Sequence, residues 1–552
     1  MKIHRFFTVT AIAIIVCMGL TPAWADTGDS TRSIGTCLNH DLDGWDVLDF
    51  EISADGAWVV YRADDYAHSG LQAIYSVPVD RSAAPVTLFA QTAGATLGFH
   101  DYQITADSTR VVVYGDLDTD GEDELYSRAV DGSGSPVKLN DPLGGWSVLD
   151  FELSADGAWV VYRTDDYGSG LNAIYSVPAD RHLAPVTLFE QTGGAALGFH
   201  EYRITKDSSR VVVYGDLDTN DEDELYSRPI DAVSGAVKLN HDLEGWSVLD
   251  FELSDNGSRV VYRTDDYGSG LEAIYSALAD GHGEPSNLFA QFQGAALGFH
   301  EYRITADSLW VVVYGDLETD GVDELYSRRI DGVLWSFKLN HSLGGWSVLD
   351  FELSDEGHWV VFRANDYGSG LDAIYSTQAN ITMSSETLFE QTGGAALGFH
   401  EYRITPDSSR VIVRGDLEVD SVDELFCRNI NGTGPQVKLN HDLQGWSVLD
   451  FEICPDGCFV AFHTDDFAHS GLEALYSVPT DRSSAPASLW TQTGGASMQL
   501  EEYQVEADSV RVLYRGDLRT DGEIELFLSG IVLFWDGFES GNLAGWSVSV
   551  GG

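Results

Sequence analysis

Basic residues are scarce in this chain of 552 residues: 31 Lys and Arg stand against 88 Asp and Glu, a formal charge of −57. So acidic a surface repels nucleic acid and anionic membranes, and it suits cations, basic partners or a salty medium. Beyond residue 25 no stretch approaches the roughly 18 consecutive apolar residues of a membrane span. Cysteine is scarce, five in all. No G-x-S-x-G elbow, no H-E-x-x-H and no phosphate-binding glycine loop occurs, which removes the common signatures of serine hydrolases, zinc peptidases and nucleotide binders. Disorder is the bland reading of so acidic a chain. It is rejected because 43% hydrophobic residues, with 14 Trp and 24 Tyr, can bury a large core.

What is present begins with MKIHRFFTVTAIAIIVCMGLTPAWA. Lys2 and Arg5, an apolar core from Phe6 to Leu20 and Ala-Trp-Ala before Asp26 form the pattern of a cleaved secretory signal over residues 1–25. Ile15-Val16 before Cys17 argue against a lipid-anchored variant. Removal of Lys2 and Arg5 makes the formal charge −59. The mature chain is therefore expected to be periplasmic or extracellular.

Repetition dominates the remainder. GWSVLDFELSADGAWVVYRTDDYGSGLNAIYSVPAD (145–180) returns from Gly245, Gly345 and Gly445, and earlier from Gly44, a period of about 100 residues five times over. Each hundred has two related halves, since residues 149–189 line up with 200–240. In both a short alternating strand is followed by a D-G or D-S turn, a β-rich run (WVVYR or RVVVYG), an acidic turn, another strand, a polar loop and a last strand (VTLF or VKLN). Four strands per half, with no helical period, predict an antiparallel β-meander. Ten meanders occupy residues 45–529.

Four-stranded units repeated at this length are the signature of a β-propeller. The S-A-D-G turn, the WVVYR-type strand and the I-Y-S-V strand resemble the TolB-type, WD-repeat-like propeller module across nearly all of the mature chain. That resemblance implies an all-β propeller of about ten four-stranded antiparallel blades, built from five tandem double-blade repeats. It implies a fold serving binding, scaffolding and, when fused to other domains, enzymes.

The tenth meander lacks a VKLN-like last strand. Cys37-Leu38-Asn39-His40 matches Lys238-Leu239-Asn240-His241, so the segment 26–44 is expected to supply the strand that closes the last blade. This favours one ten-bladed ring over two five-bladed ones. Val532 to Trp535 competes for the same slot. The tail 530–552, with DGFESG, resembles short C-terminal segments of exported bacterial proteins and reads as a sorting tag or as the remnant of a further repeat around Trp546.

Several motifs are candidates for chemistry. In GDLDTDGEDELYS, Asp116, Asp118 and Asp120 alternate before Gly121 and Glu124, an arrangement suited to calcium because alternate side-chain oxygens can converge on a hard cation. The third copy keeps Asp316, Glu318, Asp320 and Glu324. The other reading is a bare hairpin turn, favoured by Asp, Asn and Gly. Arg519 in the fifth copy leaves only that reading there. Cys454 and Cys458 flank a Pro-Asp-Gly turn where a short disulfide is plausible.

His100, His200, His300 and His400 adjoin carboxylates, which suggests acid–base work, but a pair that recurs with the fold reads as structural. Trp45, Trp146, Trp246, Trp346 and Trp446 offer aromatic platforms or pack between blades. Glu152, Glu252, Glu352 and Glu452 share a strand position with Arg203, Arg303 and Arg403, predicting Glu–Arg pairs between blades such as Glu152 with Arg203. Specificity is expected where repeats diverge, at 281–287, 333–337 and 377–386. The functional expectation is a non-catalytic, exported, monomeric binding or scaffold propeller for a protein or peptide partner, with calcium as a candidate stabiliser. A glycan-binding propeller, or a lyase or hydrolase with a site in the central channel, is the alternative.

Overall fold

The computed structural model describes residues 36–66, 71–91, 98–167, 171–191, 198–219, 221–267, 271–291, 298–367, 370–380, 385–391, 398–466, 472–492, 499–506, 511–518 and 523–530. The expected signal, Arg519, Val532 to Trp535 and residues 531–552 lie outside the described residues. Within them the chain forms ten four-stranded antiparallel sheets. In blades 1 to 9 the four strands follow in chain order; blade 3, for example, comprises Val148–Leu153, Trp159–Tyr167, Leu171–Pro178 and Val186–Glu190.

The second strands explain why the sequence shows apolar runs where a surface sheet would alternate. Successive side chains point to opposite faces, and both faces of each blade are covered. Val160 and Tyr162 pack with Val112, Leu125 and Leu139 of blade 2, while Val161 packs with Phe199, Val211 and Val213 of blade 4. Each such Val or Leu removed from water contributes about 1.5–3 kcal/mol.

The turns between first and second strands are set locally. Ser154 Oγ donates to Asp156 Oδ1 at 2.6 Å, and Asp156 Oδ1 accepts the Ala158 amide at 2.9 Å. Gly157 has φ +73°, and a Cβ there would lie 2.8 Å from Asp107 of the preceding blade. Glycine is required both by conformation and by that close approach. The Asp156 amide in turn donates to Ser208 Oγ at 3.0 Å, linking this turn to the next blade.

The ring closes as the sequence predicts. Thr36 and Cys37 pair antiparallel with Leu528 and Phe527, completing blade 10 from the N-terminal side. Leu38 N donates to Leu526 O at 2.9 Å, and Asn39 Oδ1 accepts the Leu526 amide at 2.9 Å, the role Asn240 plays for Leu225. Leu513 and Leu526 of blade 10 pack with Val47, Val59 and Tyr61 of blade 1. Blades 5 and 6 are joined by their own core, Val261 and Ile274 against Phe299, Val311 and Val313. Two five-bladed rings would need that core divided, so the molecule is a single ten-bladed propeller.

Candidate functional site

First strands of neighbouring blades approach one another around the axis. Odd blades contribute V-L-D-F-E and blades 4, 6 and 8 F-H-E-Y-R-I, and the junctions from blades 3, 5 and 7 to these share one set of hydrogen bonds. Tyr202 Oη donates to Asp150 Oδ1 at 2.7 Å. Arg163 pairs with the same carboxylate and donates to Phe199 O at 3.2 Å. The pattern repeats with Tyr302, Asp250 and Arg263, and with Tyr402, Asp350 and Arg363.

The predicted Glu–Arg pairs do not form as direct contacts. Glu152 instead accepts the Ile204 amide of the next blade at 3.1 Å. Arg203 is taken by Glu201 at 2.5 Å and lies 5.2 Å over the Phe251 ring. The reason is strand geometry: residues two apart share a face, so Glu201 is nearer to Arg203 than any side chain of blade 3. Left without a cation in contact, the inner carboxylates are dominated by burial. It pushes Glu51, Glu152, Glu252, Glu352 and Glu452 up to about 7, against the lowering effect of the amide each accepts. A cleft of about 330 Å³ at blades 5 and 6 is lined by Glu252, Arg203, Arg303, His300 and Tyr302.

Because strands alternate in direction, the turns between second and third strands and the blade-to-blade connections share one side of the ring, here the upper face. Both sequence candidates for binding lie there. In the first acidic turn Asp116 Oδ2 accepts the Gly121 amide at 2.8 Å. Glu124 accepts the amides of Leu117, Asp118 and Thr119 at 3.1, 2.7 and 3.1 Å and pairs with Lys138 at 2.8 Å. In the third copy Asp316 accepts the Gly321 amide at 2.7 Å, and Lys338 binds Glu318 and Glu324 at 2.9 and 2.6 Å. Asp118, Asp120 and Asp320 are exposed.

The four carboxylates expected around one cation are thus distributed, Asp and Glu bracing the turn while Lys occupies the buried Glu. Among the described residues no group of three or more His, Cys, Asp or Glu is arranged to hold a metal ion. Oδ1 of Asp116, Asp216, Asp316 and Asp416 is buried and receives no hydrogen bond.

Each even-blade turn is tied to the Gly-Trp-Ser segment leading into the next blade. Asp123, Asp223, Asp323 and Asp423 amides donate to Ser147, Ser247, Ser347 and Ser447 Oγ at 3.0 to 3.1 Å. The tryptophans of these segments are not packed away: Trp146, Trp246, Trp346 and Trp446 are 37 to 41% exposed. The histidines face the same side but pair with Asp of the third strand. His200 meets Asp223 and His300 meets Asp323, each at 2.8 Å, so the neighbouring Glu201 and Glu301 are not their partners.

The expected disulfide is not formed: Cys454 and Cys458 are free thiols. Cys454 is buried where sister turns have Ser, its Sγ donating to Asp456 Oδ1 at 2.9 Å and accepting the Phe459 amide at 2.8 Å. Cys458 faces solvent. A residue that replaces the turn serine points into the turn, away from its would-be partner.

One constellation escaped sequence reasoning. The His following the outer-strand motif pairs with an Asp at the end of the next second strand: His40 with Asp65, His241 with Asp266, His341 with Asp366 and His441 with Asp466, at 2.5 to 2.6 Å. The signal was there, in K-L-N-H followed 25 residues later by Asp. Blade 1 supplies Tyr61 to the other ring nitrogen at 2.8 Å. In blade 7 that tyrosine is Phe362, and Ser385 Oγ takes its place at 2.8 Å from His341 Nδ1.

No family model and no curated protein matches the chain. Among solved structures it is similar to the tricorn protease (12% identity, TM-score 0.33), covering 80% of this chain and 43% of that one. It is similar to an oligogalacturonate lyase in complex with manganese (14%, TM-score 0.34; 73% and 94%) and to a protein assigned as TolB from Agrobacterium tumefaciens (16%, TM-score 0.26; 46% and 85%). The chain spans less than half the length of the tricorn protease. The class of the molecule, a ten-bladed propeller, rests on its own sheet order and interblade cores.

Proposed function

We propose that this is an exported binding propeller whose upper face docks a basic protein or peptide. The observation that carries the reading is the repeated coupling of a segment bearing a half-exposed tryptophan to an acidic turn, as where Ser147, next to Trp146, accepts the Asp123 amide of the turn that carries Asp118 and Asp120. An indole face near carboxylates suits Arg and Lys side chains, through cation–π attraction of about 0.5–2 kcal/mol per contact and charge. Several equivalent stations around one ring add avidity to weak single contacts. The net charge of −57 steers such a partner from a distance. Export is supported by residues 1–25.

The test is titration of the full chain with an arginine decapeptide, followed by tryptophan fluorescence, with a glutamate decapeptide as control. Saturable quenching that weakens with salt and falls severalfold in Trp246→Ala/Trp346→Ala is expected. Equal response to both peptides, or none, removes the reading.

A second reading, hydrolysis, is favoured by the Ser385–His341–Asp366 arrangement, in which a hydroxyl, an imidazole and a carboxylate are joined at 2.8 and 2.6 Å. That is the order of groups that activates a serine nucleophile. Labelling with a fluorophosphonate decides it: adduct at Ser385, lost in Phe362→Tyr, supports hydrolysis, and no adduct dismisses it.

A further inference from the structure

The groove between the outer strands of blades 5 and 6 holds a cavity of about 560 Å³, within the usual range of small-ligand sites. Its apolar walls are Leu288, Phe289, Phe299 and Leu317, and its polar groups include Asn287, Glu318 and Ser336. Compared with the equivalent positions at other odd-to-even junctions, this one differs in the residues that shape it. Asn287 stands where sister strands have Thr87, Thr187 and Thr387, and Ala290 where two sisters have Glu190 and Glu390. Ser336 stands where blade 8 has Gln436, whose amide reaches across to Leu388 O at 3.0 Å. A small residue at 336 leaves open what a glutamine bridges in blade 8.

Two further observations mark the groove. Nδ2 of Asn287 is buried with no hydrogen-bond partner, a donor that is costly to leave unmatched. The loop beside it, Val333 to Trp335, is apolar and exposed, Trp335 at 89% and Val333 at 75%. Arg328 holds that loop in place, donating to Gly332 O at 3.2 Å, Leu334 O at 3.0 Å and Leu288 O at 2.5 Å.

The charges around the groove cancel. Lys338 bridges Glu318 and Glu324 at 2.9 and 2.6 Å, and with Arg328 in the lining two cations stand against these two carboxylates. The donors of Arg328 are spent on carbonyls, so neither an anion nor a cation finds an unmatched charge. A ligand suited to these walls is neutral, flat and apolar on one side, and carries oxygens that accept from an amide and hydroxyls that donate to a carboxylate.

We propose that the groove between blades 5 and 6 is a binding site for a neutral pyranose sugar, taken as one or two rings of a glycan. One ring face lies against the phenylalanines, a ring or acetamido oxygen accepts from Asn287 Nδ2, and a hydroxyl donates to Glu318. This site shares Glu318 with the third acidic turn of the upper face, but none of its residues is altered in the Trp246→Ala/Trp346→Ala test of that face.

The experiment is saturation-transfer NMR and calorimetry on the full chain with N-acetylglucosamine, its β-1,4 dimer, cellobiose and maltose. At least one is expected to bind saturably. Ser336→Gln, which installs the blade 8 residue, is expected to weaken that binding at least tenfold, and Asn287→Thr severalfold, with melting temperatures unchanged because sister blades carry both residues. Absence of saturable binding to all four sugars, or binding indifferent to Ser336→Gln, overturns the proposal. So does binding of N-acetyl-tryptophanamide that Ser336→Gln abolishes while no sugar binds, which would make the groove a peptide site.

Discussion

The Glu252 carboxylate accepts the Ile304 amide at 2.9 Å across the junction of blades 5 and 6, and burial raises its pKa from 4.5 to about 7. The folded chain therefore holds this proton more tightly than the unfolded chain does. Below pH 4.5 both states are protonated; between 4.5 and 7 the unfolded state ionises first, and stability falls as pH rises, by about 1.4 kcal/mol per unit and group. Above 7 the loss is complete. Glu252→Gln keeps an acceptor for the amide without the ionisation. Thermal melts should show the variant close to the parent at pH 5 and more stable at pH 8; parallel pH profiles would contradict the assignment.

Lys338 is the counter-ion of Glu324, which is almost wholly buried. Lys338→Met leaves that carboxylate with only backbone and hydroxyl donors, at a cost on the order of 3 kcal/mol. The melting temperature should fall by several degrees. Millimolar calcium should leave the parent unchanged if lysine alone neutralises the turn; a calcium-dependent rise in the parent would instead place a cation at the exposed carboxylates.

Tyr302 Oη donates to Asp250 Oδ1 at 2.7 Å. Tyr302→Phe removes this bond without opening a cavity and should cost about 1–2 kcal/mol in denaturant melts. Asp250→Ala also strands Arg263, so a double-mutant cycle of the two should be non-additive. Strict additivity would mean that the interblade contact contributes nothing.

Cys454 and Cys427 are buried, and burial pushes their thiols up to about 12 and about 11. In native protein a thiol reagent should modify Cys458 at once and these two only on unfolding. Cys454→Ser restores the residue of sister turns and should change stability by less than about 0.5 kcal/mol. Recovery of a Cys454–Cys458 disulfide from oxidised protein would show that the turn rearranges.

The candidate site was legible only in part. Trp146 and its sisters, the acidic turns and the divergent loop at Val333 to Phe337 were all visible as residues. Their exposure and coupling through Ser147 were not, because those depend on how one blade's turn meets the next blade's first strand. Glu152 and Arg203 illustrate the limit: their alternation around the ring was readable, yet each found a nearer partner than the other.

The sequence by itself determined the blades and their number. A strand's period of two, a turn's need for Asp and Gly and the match of Leu38-Asn39 to Leu239-Asn240 are local properties, and the missing strand at one end named its replacement at the other. Only the tertiary structure decided which donor each buried carboxylate meets, that Cys454 serves as a turn serine and that a cavity opens at Ser336. Those outcomes turn on differences of a few ångströms between packed blades, and the order of residues along a chain does not encode such distances directly.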